Sequence, residues 1–200
     1  MTSDFIIKRA TVLPDRIVPP EGMPKGTYPV LEYEPGKFIK QSTAILEYLE
    51  DVYSTVGPDM FGDTPLRRAK VRECRDIINE ACIYFGVYVL HASAFFHTRH
   101  QSQEVAEDTL ARVHQMLQIL SKLAMPAAQG PMLAGGEQPT IADIMLAGLL
   151  QYASSMYAID LVENHGRLQV FKQAFMARES VNTISVPQQL AQETRVMSQR

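Results

Sequence analysis

GTYPVLEYEPGKFIKQSTAILEYL, residues 26–49, decides how the rest of the chain is read. Val30, Leu31 and Tyr33 form a β-rich run, Pro35-Gly36 supplies turn chemistry, and Phe38-Ile39 restart an extended segment. Ser42 then opens a helix, with Ile45, Leu46, Leu49 and Val52 recurring along one face. The stretch predicts two short strands, a turn and a capped helix. The orphan N–H groups and positive end of that helix would attract a carboxylate, so the unit suits a small peptide-like ligand.

Beyond residue 55 the pattern becomes wholly helical. Gly57-Pro58 and Gly62-Asp63-Thr64-Pro65 break the chain, and Thr64 followed by proline makes an N-cap with proline at the first helical position. The spacing predicts helices over about 65–98 and 103–124, the second carrying Val105, Leu110, Val113, Leu117 and Leu120. Met125-Pro126 ends it. After the glycine-rich GPMLAGGEQ, Thr140-Ile141-Ala142-Asp143 has the form of a capping box with an acid in place of glutamate, opening an apolar helix to about Tyr157. Removing either Thr140 or Asp143 is expected to cost ~1 kcal/mol. From Ser180 the chain is polar and reads as a final helix or a tail.

At 200 residues and 46% hydrophobic content the chain can bury a sizeable core in one large or two small domains. A net charge of −3 and a pI near 6.0 give no electrostatic footprint for nucleic acid or an anionic membrane. No apolar run reaches membrane-spanning length and no signal segment opens the chain, so a soluble cytoplasmic protein is the expectation. Cys74 and Cys82 fall in one predicted helix ~12 Å apart, too far for a disulfide, and read as reduced core residues. No Cys-x-x-Cys, His-Glu-x-x-His or P-loop is present, and His91, His97 and His100 lack a convincing third ligand, so no metal is expected.

Pro24-Lys25-Gly26, Pro29-Val30-Leu31, Gln41-Ser42 and Ala44-Ile45 with Tyr48-Leu49, in this order, resemble the glutathione-binding half of the thioredoxin-like domain of glutathione transferases. The Thr-Ile-Ala-Asp box is similar to the folding signal of that family's helical domain, and the resemblance covers about residues 24–175. It implies an α+β fold: a shortened thioredoxin-like domain over 1–55 and an all-α C-terminal helical bundle over 64–200. It implies a cis bond before Pro29, with the Tyr28 backbone pairing with the cysteinyl part of glutathione. Gln41 and Ser42 would hold the γ-glutamyl group, and Lys25 the glycyl carboxylate. For Ser42 the plain alternative is an N-cap, and for Lys25 a solvated surface lysine.

The start of the chain departs from the family. Only 28 residues precede Pro29, and one βαβ unit takes ~30 or more. Phe5, Ile6, Ile7, Ala10, Val12 and Leu13 predict a single strand over 5–13, while Pro14, Pro19, Pro20, Gly22 and Pro24 argue against a helix over 14–24. By spacing, 5–13 look like the family's second strand. The segment that in the family carries the Tyr, Ser or Cys activating the thiol has no counterpart, so the catalytic residue stays unassigned. A shortened sheet and an extensive homodimer interface are expected, since an uncovered edge invites aggregation.

On the first long helix Tyr84, Tyr88, His91 and Phe95 recur at i, i+4, i+7 and i+11, where the family lines its cleft for a hydrophobic co-substrate. They could bind a flat apolar molecule and supply a proton donor or acceptor, or they could be packing residues with His91 hydrogen-bonded and inert. Two function classes follow. One is a glutathione-dependent enzyme acting on a hydrophobic electrophile, by conjugation or by reversible addition giving cis-trans isomerisation, with an enone-like product of secondary metabolism as one option. The other is a non-catalytic carrier or assembly module of the same fold.

Overall fold

The computed structural model of the chain describes residues 6–26 and 28–182. Two compact units divide it, Met1–Val56 and Gly57–Arg200.

The first unit is built from two small antiparallel sheets and a helix. Strands β1 (Thr11–Val12) and β2 (Ile17–Val18) pair Thr11 with Val18 and Val12 with Ile17. Strands β3 (Val30–Glu34) and β4 (Lys37–Lys40) form a hairpin that pairs Val30 with Lys40 and Leu31 with Ile39 and is irregular near Glu32–Glu34. Its turn uses Pro35-Gly36, with Gly36 at a φ of 76° that glycine tolerates. Helix α1 (Ser42–Tyr53) packs on this hairpin through Ile45, its one buried residue, and through the Tyr33–Tyr48 ring pair at 5.9 Å.

The strand expected over 5–13 is a correction. Phe5 lies outside the described residues, Ile6–Ala10 form no strand, and only Thr11–Val12 pair. Ile6 and Ile7 are 85% and 83% exposed, so their β-propensity finds no neighbouring surface to pack on. Residues 14–24 form no helix, as their prolines dictate. Val52, expected on the apolar face of α1, is 49% exposed in its last turn.

The second unit is helical. Helix α2 (Pro65–Ala92) starts where the Thr64 hydroxyl accepts the Arg67 N–H at 3.2 Å, and α3 (Gln103–Leu123) starts where Ser102 accepts from Val105 at 3.3 Å. Helices α4 (Ile141–Tyr157), α5 (Gly166–Met176) and the short α6 (Glu179–Asn182) follow. The core joins Val71, Ile78 and Phe85 of α2 to Val113, Leu117 and Leu120 of α3, Ala142 and Leu146 of α4, and Leu168 and Phe171 of α5. Most of the tail from Ser180 lies outside the described residues.

Helix α2 stops at Ala92, short of the expected 98. Ser93 turns extended at ψ 122°, its hydroxyl accepts the Phe95 N–H, and its carbonyl accepts the Gln101 side chain at 2.6 Å. Local side-chain bonding of this kind competes with the helical ladder. Phe95 therefore sits in a 3-10 turn (Ala94–Phe96) and is 9% exposed against Phe96, off the face that spacing assigned to it.

Candidate functional site

The hairpin register assembles the first group of residues. Because Val30 pairs with Lys40, the Tyr28-Pro29 step just before β3 and Gln41-Ser42 just after β4 emerge at the same end of the hairpin. The Tyr28–Pro29 peptide bond is cis, as the resemblance implied. Tyr28 is half-buried and its hydroxyl donates to the Pro24 carbonyl at 3.2 Å, which leaves its backbone at the hairpin end. Lys25 and Pro29 are exposed.

Gln41, not Ser42, occupies the cap position of α1, and its backbone is held at φ 77° and ψ 119°. Positive φ at a non-glycine residue costs about 1–3 kcal/mol and persists where the surroundings impose it, often at ligand sites. No side chain caps the helix and its first turn holds no acid. The first intrahelical bond runs from the Ile45 N–H to the Gln41 carbonyl, so the N–H groups of Ser42, Thr43 and Ala44 have no partner in the helix. The N-cap role read for Ser42 is thereby corrected. It is the first helical residue, half-buried beside unspent donors and the positive end of the dipole.

In the helical unit three of the four residues of the expected face, Tyr84, Tyr88 and His91, lie on α2, and Phe95 does not. Tyr84 is half-buried and its hydroxyl donates to Glu80 at 3.3 Å. Tyr88 packs on Phe85 with ring centroids 5.6 Å apart, and burial pushes its phenol up, so it stays a neutral donor. His91 Nδ1 accepts the Ser102 N–H at 3.2 Å, which places its proton on Nε2 and ties the end of α2 to the start of α3. Phe95 has left the helix.

Two residues that spacing did not single out join Tyr88 around Phe85. Tyr152 and Tyr157 of α4 stand edge-on to the Phe85 ring, each at 5.9 Å, and their hydroxyls lie 3.1 Å apart. Five residues apart on a helix they do not share a face, so periodicity gave no signal; both rings lean on Phe85 of α2 and stand edge-on to one another. Cys74 and Cys82 are free, and burial pushes both thiols up to about 11, which makes them poor nucleophiles at neutral pH.

Residues 103–170 match the family model of the glutathione S-transferase C-terminal domain. A maleylacetoacetate isomerase of Pseudomonas aeruginosa is 29% identical over 142 residues, 69% of this chain and 61% of that protein, so the chain spans about three fifths of that curated relative. A glutathione S-transferase domain-containing protein of Marinobacter aquaeolei overlays with a TM-score of 0.63 at 26% identity, covering 78% of this chain and 74% of that one. A glutathione S-transferase of Methylobacterium radiotolerans, solved with glutathione sulfonate, overlays at 0.63 with 18% identity, covering 80% and 76%. The fold is thus α+β, a shortened thioredoxin-like unit followed by an all-α helical unit.

Proposed function

The chain belongs to the glutathione S-transferase superfamily, and from that premise we propose that it is a glutathione-dependent enzyme acting on a hydrophobic electrophile. Residues 1–55 would hold the tripeptide and 64–200 the second substrate. The family includes transferases and isomerases, and both reactions begin with a thiol adding to an electrophilic carbon. The adduct stays as a conjugate, or the thiol leaves after bond rotation and a cis-trans isomer results.

The donor set suits glutathione. The Tyr28 main chain is free to pair with an extended peptide, as an unpaired strand end does. The Gln41 amide, the Ser42 hydroxyl and the uncapped N–H groups of α1 match an α-carboxylate and its amine. Lys25, exposed in the preceding loop, carries the charge for a second carboxylate. Tyr84 and Tyr88 remain as contacts for the electrophile, whereas His91 is engaged with Ser102 and Phe95 is buried elsewhere. A homodimer belongs to the same reading, supported by the exposed Leu66 and Ile83 of α2; sedimentation of the purified protein checks it.

The single observation that carries the reading is the register that brings Tyr28-Pro29 and an uncapped helix start to one end of a hairpin. Calorimetric titration with glutathione tests it. Micromolar to low-millimolar binding that weakens in Ser42→Ala is the expected result. No heat from a folded sample would discard the enzyme and leave the carrier or assembly module.

A further inference from the structure

The first unit buries very little. Ile45 is the one buried residue among its described residues, whereas Ile6, Ile7, Ile17, Val18, Val52 and Val56 all stand exposed. A unit of this size with so small a core needs more apolar surface covered to be stable. Its strands show where cover is missing. β1 pairs only with β2 and β3 only with β4, so among the described residues the outer edge of β3 has no partner strand. Such an edge keeps a row of N–H and C=O groups ready for another chain.

Residues 6–10 have the complementary need. Ile6 and Ile7 are β-branched, exposed and in no strand, and Lys8 and Arg9 meet no acid among the described residues. Laid parallel to β3 with Ile6 beside Val30, the segment sets Ile7 beside Leu31, Lys8 beside Glu32 and Arg9 beside the half-exposed Tyr33 ring. Apolar then meets apolar and charge meets opposite charge. Glu32 is open to this, because it accepts the Gly36 N–H through one oxygen and pairs with no cation among the described residues. A slip of one residue sets Ile7 beside Glu32 or Lys8 beside Leu31, and an antiparallel course through Ile7 and Leu31 sets Ile6 beside Glu32 and Lys8 beside Val30. In the single chain, residues 6–10 run on into β1 and do not take this place.

We propose that residues 6–10 of one chain add as a parallel strand to β3 of a second copy, and that the second copy returns the same segment. This deepens the homodimer read above, on which it rests, and is independent of glutathione binding. Two copies related by a twofold axis satisfy both edges at once, each lending a segment and receiving one. A parallel neighbour within one chain needs a crossover of a dozen or more residues, whereas a strand from another chain needs none. Main-chain hydrogen bonds to β3 supply the adhesion, Ile6 and Ile7 supply the apolar cover, and Lys8 against Glu32 fixes the register.

The test combines disulfide trapping with sedimentation of the whole chain. Protein carrying Ile7→Cys is mixed with protein carrying Leu31→Cys and oxidised; the native Cys74 and Cys82 react slowly, since burial pushes both thiols up to about 11. The expected product is a dimer linked from position 7 of one chain to position 31 of the other, with no such product when the exposed Val52→Cys replaces Leu31→Cys. Ile7→Lys, a change at a site exposed in the single chain, should weaken self-association about tenfold. Lys8→Glu should weaken it about threefold, and Glu32→Lys added to the same chain should restore it. A wild type that sediments as a monomer overturns both the exchange and the homodimer. A dimer that forms no 7–31 link and is unmoved by Ile7→Lys overturns the exchange alone. A 7–31 bond closed inside one chain of the Ile7→Cys, Leu31→Cys double variant also overturns it, because the segment then serves its own sheet.

Discussion

Two helix starts in this chain solve the same problem in opposite ways. At α4 the Asp143 carboxylate, fully buried, accepts the Thr140 N–H at 2.7 Å, the Thr140 hydroxyl at 2.6 Å and the Leu133 N–H at 2.7 Å, while the Ile141 N–H goes to the Met60 carbonyl at 2.9 Å. At α1 the cap residue is Gln41 in a strained conformation, no side chain caps the helix, and three N–H groups are left over. Every helix exposes such donors. A protein that consumes them internally gains stability, and one that leaves them open leaves them to water or to a ligand. The α4 start is therefore architecture, and the α1 start is the one where the proposed glutathione site would lie.

Breaking the closed start has the largest expected effect. Asp143→Ala leaves the N–H groups of Leu133 and Thr140 buried without acceptors, at about 1–3 kcal/mol each, so a loss of about 3–4 kcal/mol is expected in urea denaturation. Thr140→Ala, which removes one hydroxyl, should cost about 1 kcal/mol. Equal effects of the two substitutions would show that neither backbone bond to Asp143, from Leu133 or from Thr140, contributes. Arg167 closes the same loop from the other side, its guanidinium donating to the carbonyls of Met125 at 2.7 Å, Pro131 at 3.0 Å and Met132 at 2.7 Å.

That difference also marks what the sequence can reveal. The box itself was legible in Thr140-Ile141-Ala142-Asp143, because its bonds span three residues. The Leu133 bond spans ten residues and the Arg167 bonds 35 to 42, so the ~1 kcal/mol expected for Asp143 from local chemistry leaves them out. Helices α3 and α4 were placed within a residue or two by apolar period and caps, and the hairpin with its helix by turn chemistry. Two readings failed for the same reason. Residues 6–10 and Phe95 have the right local propensity, but the first lack a surface to pack on and the second follows a serine whose side chain redirects the backbone. The Tyr152–Tyr157 pair was invisible because tertiary geometry, not period, brings the hydroxyls together.

Closing the open start is the next largest test. Ser42→Asp puts a carboxylate in the first turn of α1, where the N–H groups are unspent, and should raise the stability of the protein by about 0.3–1 kcal/mol through the helix dipole. The same charge should lower glutathione affinity by about fivefold or more, since two like charges ~4 Å apart near a surface repel by at least about 1 kcal/mol. Calorimetry and thermal denaturation on one sample read both. A gain in stability without a loss of affinity would separate the α1 start from the ligand and remove the contrast with α4.

The smallest effect sharpens the comparison at a third helix start, that of α5, where His165 occupies the cap position. Its ring stacks on His114 of α3 at 5.8 Å and 19°, and burial first, then the charge of His114, hold it below the ordinary histidine range. The positive end of α5 works in the same direction. A histidine depressed in the folded state binds fewer protons there than in the unfolded chain, so its contribution is present above about pH 6.5 and is lost as pH falls through the folded value. The melting temperature should therefore drop between pH 7 and 5.5, and drop less in His114→Gln, where His165 no longer faces a second histidine. Equal slopes in the two proteins would mean that the stacked pair repels too weakly to matter, leaving α5 a start that tolerates charge as α1 is inferred to attract it.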